Sequence, residues 1–291
     1  MKLRLYVLAM CGLAGLLTLL QDWETFASIV RGDYLGLATL ALLALFTEHQ
    51  ALVIGRGKAT SGSSIGFLPL FTVLVLFGPA ATVAVMLVNG PFVEYVIRRK
   101  EPLRANFNIA QYASAAALGG FAFSAAGGSP LLALPQAAQG SAILAQVGPF
   151  ILFGVVVLVF NNTAVAMAVA LNEGLSFREV WDAIVAQTGV NIVTDLLVAP
   201  VGIAVAALYI QIGTVGLVLA ILPLLFIRHS YLTTLRLQGA NRDLLKALVK
   251  AIETRDPYTS GHSMRVARLA TSIAEALRFS SRRIDEIETA A

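Results

Sequence analysis

The chain has 291 residues, 57% of them hydrophobic and only 13% charged, with a mean hydropathy of +0.78. Globular chains carry about 25% charged residues, so an ordinary soluble protein of this length is excluded, and the apolar blocks read as membrane spans of ~20 residues. The formal charge of +4 is too small to indicate nucleic-acid binding, and the one cysteine, Cys11, permits no internal disulfide.

In chain order, the hydropathy predicts a polytopic all-α membrane domain with about eight spans. They lie near residues 3–20, 34–54, 65–77, 80–97, 107–126, 146–171, 190–209 and 212–227. The first follows Lys2 and Arg4 as a signal peptide would. No small-residue cleavage site precedes the polar run QDWET, so it reads as a retained span. With an even number of spans, Lys2, Arg4, Arg56, Lys58, Arg98, Arg99, Lys100, Arg104 and Arg178 all fall on one side, against Arg31 alone in the loops of the other. The positive-inside rule then places both termini in the cytoplasm, with the bacterial inner membrane as the expected location.

Polar residues within the predicted spans share one level. Glu48 and His49 stand near the inner end of the second, Asn89 and Glu94 in the inner half of the fourth, and Asn108 and Gln111 at the start of the fifth. Asn161, Asn162 and Thr163 occupy the inner half of the sixth, and Asn191 and Asp195 open the seventh. Each costs a few kcal/mol in hydrocarbon unless it finds a partner or water. Two readings follow: interhelical hydrogen bonds that hold the bundle together, or an intramembrane site for a small molecule or ion. A short echo between FNIAQYA (107–113) and FNNTAVA (160–166) hints at an internal repeat.

Residues 172–188 alternate charge with Leu175, Phe177, Val180, Trp181 and Ile184, the pattern of an amphipathic helix lying on the inner membrane surface. The glycine-rich run 55–66 lacks Walker spacing and reads as a basic loop. These patterns place the membrane domain over residues 1–230. A stalk helix follows over 231–255, where Leu237, Leu244, Leu248, Ala251 and Ile252 make an apolar stripe at helical spacing. Asp256-Pro257 breaks it, Tyr258 to Gly261 form a turn, and a new helix starts at His262 with Val266, Leu269, Ile273 and Leu277 on one face.

The run DPYTSGHSMRVARLA (256–270) resembles the opening of HD-GYP domains, the HD-type metal phosphohydrolases that degrade cyclic di-GMP. The likeness covers about residues 240–291, through Asp256, Tyr258, Thr259, Gly261, His262 and Arg265. It implies that residues 256–291 open an HD-type helical domain, that His262 matches the first metal ligand, and that Arg265 belongs to the same signature. Some relatives carry a carboxylate where this chain has Tyr258, which favours a pair of divalent transition metals (iron or manganese) over three ions. It further implies cyclic di-GMP as substrate, a homodimer, and a membrane domain that regulates the enzyme. The His-Asp pair that names the family does not occur before Ala291, so the sequence leads us to expect an incomplete catalytic core in these 291 residues. Two alternatives stand beside this expectation: a transporter or small-molecule receptor without catalysis, and a short interaction module that acts through its helices.

Overall fold

The computed structural model describes residues 2–51, 68–255, 262–277, 279 and 281–290. Twelve α-helices and no strand occur among them. Two compact units divide the chain, residues 1–222 and 223–291.

The first unit opens with α1 (Lys2–Leu19), then α2 (Trp23–Gly32), α3 (Tyr34–Ala51), α4 (Leu68–Phe77) and α5 (Pro79–Pro91). A π-helical turn, Phe92–Ile97, extends α5. Next come α6 (Pro102–Ala125), the short α7 (Gln136–Ala142), α8 (Val147–Glu173) and α9 (Phe177–Ile212). The start of α9 has a full capping box, Ser176 Oγ accepting from the Glu179 amide and the Glu179 carboxylate accepting from the Ser176 amide. α10 (Thr214–Arg255) begins in this unit and contains Pro223, the first residue of the second.

Helix α6 lies at the centre, packed against α1, α5 and α8. Its buried residues are mostly small: Ala105, Ala110, Ala113, Ser114, Ala115, Ala116, Ala117, Gly119 and Gly120. Small side chains let helix backbones approach closely where hydrocarbon offers no drive to associate. A Cβ at Gly120 would stand 2.5 Å from Pro79 Cβ on α5, and one at Gly119 would stand 2.8 Å from Phe153 and Val157 on α8. Between α4 and α5 the chain turns at Gly78, whose φ of +89° is a left-handed conformation that other residues adopt at a cost.

The count of about eight spans is corrected. Among the described residues, three helical stretches are long and apolar enough to cross a membrane: Lys2–Leu19, Pro79–Ile97 and Leu144–Glu173. A fourth forms if Trp23–Gly32 and Tyr34–Thr47, bent by 102° at Asp33, make one broken span. The physical reasons differ by element. The described residues of α4, Leu68–Phe77, are all buried except Phe71, so this apolar stretch packs inside the unit. α6 is long enough, but Asn108, Gln111 and Ser114 dilute its hydropathy; Gln111 and Ser114 are buried against neighbouring helices and Asn108 is half-buried. Val201–Ile212 and Thr214–Pro223 are apolar stretches within the long helices α9 and α10, each shorter than a span among the described residues.

Two predicted connections are also helical. Residues 21–33, read as a loop, contain α2, capped by the Asp22 carboxylate accepting from the Thr25 amide. The predicted surface helix over 172–188 is the beginning of α9, which runs uninterrupted for 36 residues into the apolar stretch beyond. Val180 is buried in one cluster with Ala166 and Ala170 of α8, and Phe177 stacks on Trp181 with ring centroids 5.8 Å apart. The bend between α2 and α3 is fastened from a distance: Tyr209 of α9 donates its hydroxyl proton to the Asp33 carboxylate, which also accepts from the Gly36 amide at 3.0 Å.

In the second unit, α11 (His262–Ala276) packs against α12 (Ser281–Ala290). Ala274 is buried and Ala267, Ala270 and Thr271 are half-buried, whereas Val266, Leu269, Ile273 and Leu277 remain exposed. The small-residue face of α11 is therefore the covered one, and the larger apolar stripe stands open.

The tight α5–α6 seam gives a direct test. Substituting Gly120→Val should lower stability by about 1–3 kcal/mol through overpacking, read as a reduced thermal midpoint of the detergent-purified protein. An unchanged midpoint would contradict the seam.

Candidate functional site

The described polar residues gather around one departure from regular helix. Pro91 has no amide proton, so the ladder of α5 cannot continue through it. The next six residues widen into the π-helical turn, with the Arg98 amide donating to the Val93 carbonyl five residues back at 2.8 Å. Such turns are rare and recur at functional sites. Here the widening carries Glu94 inward, so that only 2% of it is exposed.

An ionised carboxylate at that depth needs partners, and Glu94 has three. Arg98 Nη1 lies 2.7 Å from Oε1, while Lys100 Nζ at 3.0 Å and Asn108 Nδ2 at 2.8 Å address Oε2. The Lys100 amide also donates to the Glu94 carbonyl at 3.0 Å. Arg99, between the two cations, has φ of +50°, a left-handed turn that lets the chain leave the π-helix. The side chains of Arg98 and Lys100 retain 20% and 34% exposure, so the charge cluster runs from the interior towards the surface.

Beside this cluster lies a cavity of about 60 Å³. Asn89, Glu94, Arg98 and Tyr112 contribute polar groups to its wall, and Leu70, Met86 and Ile109 are among the apolar ones. Asn89 donates from Nδ2 to the Ala41 carbonyl at 2.9 Å, which ties α5 to α3 along the same wall.

The remaining intramembrane candidates divide. Gln111 on α6 donates to the Asn161 side chain on α8, and Asn161 Nδ2 contacts Asn162 Oδ1 at 3.3 Å. Thr163 bonds back to the Val159 carbonyl of its own helix at 2.7 Å. The nearby Tyr6 hydroxyl donates to the Ala164 carbonyl, joining α1 to α8. These hydrogen bonds hold α1, α6 and α8 together, whereas Glu94 and Asn108 belong to the cavity. Glu48 and His49 lie in α3, and Asn191 and Asp195 in α9; their side chains are outside the described residues. Asp256, Tyr258, Thr259 and Gly261 are likewise outside. His262 is the first residue of α11, its side chain not described, and Arg265 is exposed one turn later.

Sequence reasoning left three partnerships unread. Arg98 and Lys100 counted there only as positive loop charges, although Glu94 and Arg98 stand at the i,i+4 spacing of a helical ion pair. Asp33 with Tyr209, 176 residues apart, and the Ser129 amide donating to Gln146 at 3.1 Å carry no local signal.

No three His, Cys, Asp or Glu side chains come together among the described residues. Residues 231–291 contain one histidine, His262, and a metal pair that hydrolyses a phosphodiester needs several ligands. Among the described residues no such centre is assembled. No protein-family model matches the chain, and neither the curated proteins nor the solved structures contain a match.

The Glu94 cluster predicts a graded response. Glu94→Ala leaves two cations without their carboxylate and should destabilise by about 3 kcal/mol. Asn108→Ala should cost about 1 kcal/mol, and Lys100→Ala, at the solvated edge, less than about 1 kcal/mol. Unfolding midpoints of the three variants test this order, and equal losses would contradict it.

Proposed function

We propose that this chain belongs to a membrane-bound signalling protein whose cytoplasmic end opens a phosphodiesterase of the HD-GYP type, acting on cyclic di-GMP. The observation that carries the reading is the run Asp256–Ala270, with D-x-Y-T-x-G-H-x-x-R-V-A leading into the helix that begins at His262. Two further features support it. Helices apolar enough to cross a membrane precede the motif. The exposed stripe Val266, Leu269, Ile273 and Leu277 on α11 suits a helix that packs against further elements of an all-helical domain. In this reading both termini are cytoplasmic in a bacterial inner membrane, the protein is a homodimer, and α10 is the route by which the membrane domain regulates hydrolysis. His262 serves as one ligand of a divalent metal pair completed by residues of the full domain.

The protein translated from the gene's whole reading frame provides the test. Purified with its membrane domain and supplied with iron or manganese, it should convert cyclic di-GMP to a linear product. His262→Ala should lower the rate at least about a hundredfold and reduce the bound metal. Absence of hydrolysis by a metal-replete sample would sink the enzyme reading.

A further inference from the structure

We propose that the corner between the π-helical turn and α6 binds an anionic phospholipid, its headgroup phosphate held by Arg99 and Arg104 and its acyl chains lying along Val88, Phe92 and Val96. Every residue involved lies in the first unit, so the proposal stands apart from the phosphodiesterase reading.

Three observations carry it. The first is the backbone at Arg99. Among the described residues it is the one non-glycine with a positive φ, +50°. Glycine takes that conformation at no steric cost, whereas a larger residue there is uncommon and strained. Hydrogen bonds fix the turn on both sides, from the Arg98 amide to the Val93 carbonyl at 2.8 Å and from the Lys100 amide to the Glu94 carbonyl at 3.0 Å. Glycine would serve better if the turn had no duty beyond its shape. The residue that stands there instead presents an exposed guanidinium.

The second is charge. Arg98 and Lys100 are engaged with Glu94 and take no part in the site. Arg99 and Arg104 are exposed on either side of the corner, and neither has an ion pair with a described carboxylate. Glu101 stands between them in the chain, exposed and joined to neither. A guanidinium offers a planar fork of donors that fits two phosphate oxygens at once.

The third is the neighbouring apolar surface. Val88, Phe92 and Val96 are all exposed, on successive turns of α5 and the π-helical turn, and their strip runs down to the corner. Tyr95, exposed beside them, donates its hydroxyl proton to the Asn106 side chain at 2.6 Å. A tyrosine with its ring among apolar neighbours and its hydroxyl on a polar group marks the level where hydrocarbon gives way to headgroups. Arg99 follows Tyr95 by four residues and Arg104 precedes Asn106 by two. The two cations thus stand at the phosphate level with hydrocarbon-facing surface next to them, which suits a lipid better than a soluble anion. A zwitterionic headgroup would bring its own cation against both arginines, so the anionic class is preferred.

The probe is dioleoyl phosphatidylglycerol, titrated in mixed micelles into the detergent-purified protein while thermal unfolding is followed. Dioleoyl phosphatidylcholine and the soluble headgroup glycerophosphoglycerol are compared at equal ionic strength. Phosphatidylglycerol should raise the midpoint by about 3–5 °C, with saturation. Half-saturation should need about twenty-five times less of it than of phosphatidylcholine, about fivefold for each arginine near the headgroup. The soluble headgroup should produce less than about 1 °C. Arg99→Gly removes the guanidinium while keeping the left-handed turn, so the lipid-free midpoint should hold or rise while half-saturation moves about fivefold higher. Arg104→Gln should weaken the response by a similar factor, and the double variant should no longer distinguish the two lipids. The single variants carry the test if the double variant does not fold. Arg178→Gln removes a cation that is 92% exposed at the start of α9 and should leave the titration unchanged. An equal response to phosphatidylcholine, an equal shift from the soluble headgroup, full preference retained in a folded Arg99→Gly or Arg104→Gln variant, or an equal loss in Arg178→Gln each overturns the proposal.

Discussion

The architecture of the first unit depends on one constraint: the helix at its centre must be thin. α6 touches α1, α5 and α8 at once, and at Gly119 and Gly120 the neighbouring side chains occupy the space where a Cβ would be. In an apolar environment the hydrophobic effect does little to bring helices together, so close van der Waals contact has to do it. Alanine, glycine and serine supply that contact. Once α6 is enclosed it need not be apolar. It can therefore carry Asn108 to Glu94 and Gln111 to Asn161, polar contacts that a lipid-facing helix would hold at a cost.

The charge cluster follows from the same enclosure. Pro91 interrupts α5, the π-helical turn re-aims Glu94, and Asn108 arrives from α6 only because α6 lies close enough to reach it. Arg98 and Lys100 come from the turn that follows, so the segment that buries the carboxylate also supplies its counterions. Removing one partner of such a set leaves the others uncompensated, which is why the carboxylate matters more than the half-exposed lysine. Tyr209 and Asp33 form another long-range polar contact, where a side chain of α9 holds the corner between α2 and α3.

Much of the secondary structure was legible in the sequence. The apolar run beginning at Leu3, the run from residue 80 to Ile97, the long apolar helix ending near Leu171 and the helix starting at His262 all appear near their expected positions. The number of spans was not legible. Hydropathy counts apolar residues without asking what they face, so the buried core helix α4 and the enclosed α6 both resembled spans. The polar residues within the apolar segments were visible in the sequence, but their pairing was not. Asn108 joins Glu94, whereas Gln111, three residues later and also on α6, joins Asn161, because each direction around the helix meets a different neighbour. The motif at His262 was read from residue identity, and its side-chain surroundings lie outside the described residues.

The sequence by itself determined that this chain is helical, that parts of it are apolar enough for a membrane, and that polar groups recur within its apolar segments. Those properties are local: they depend on side-chain type and on a period of a few residues. Only the tertiary structure decided which apolar helices are enclosed, which carboxylate is paired and where a cavity remains. Enclosure and pairing depend on contacts between segments far apart in the chain, and the smallest side chains, which carry little hydropathy signal, determine how closely those segments meet.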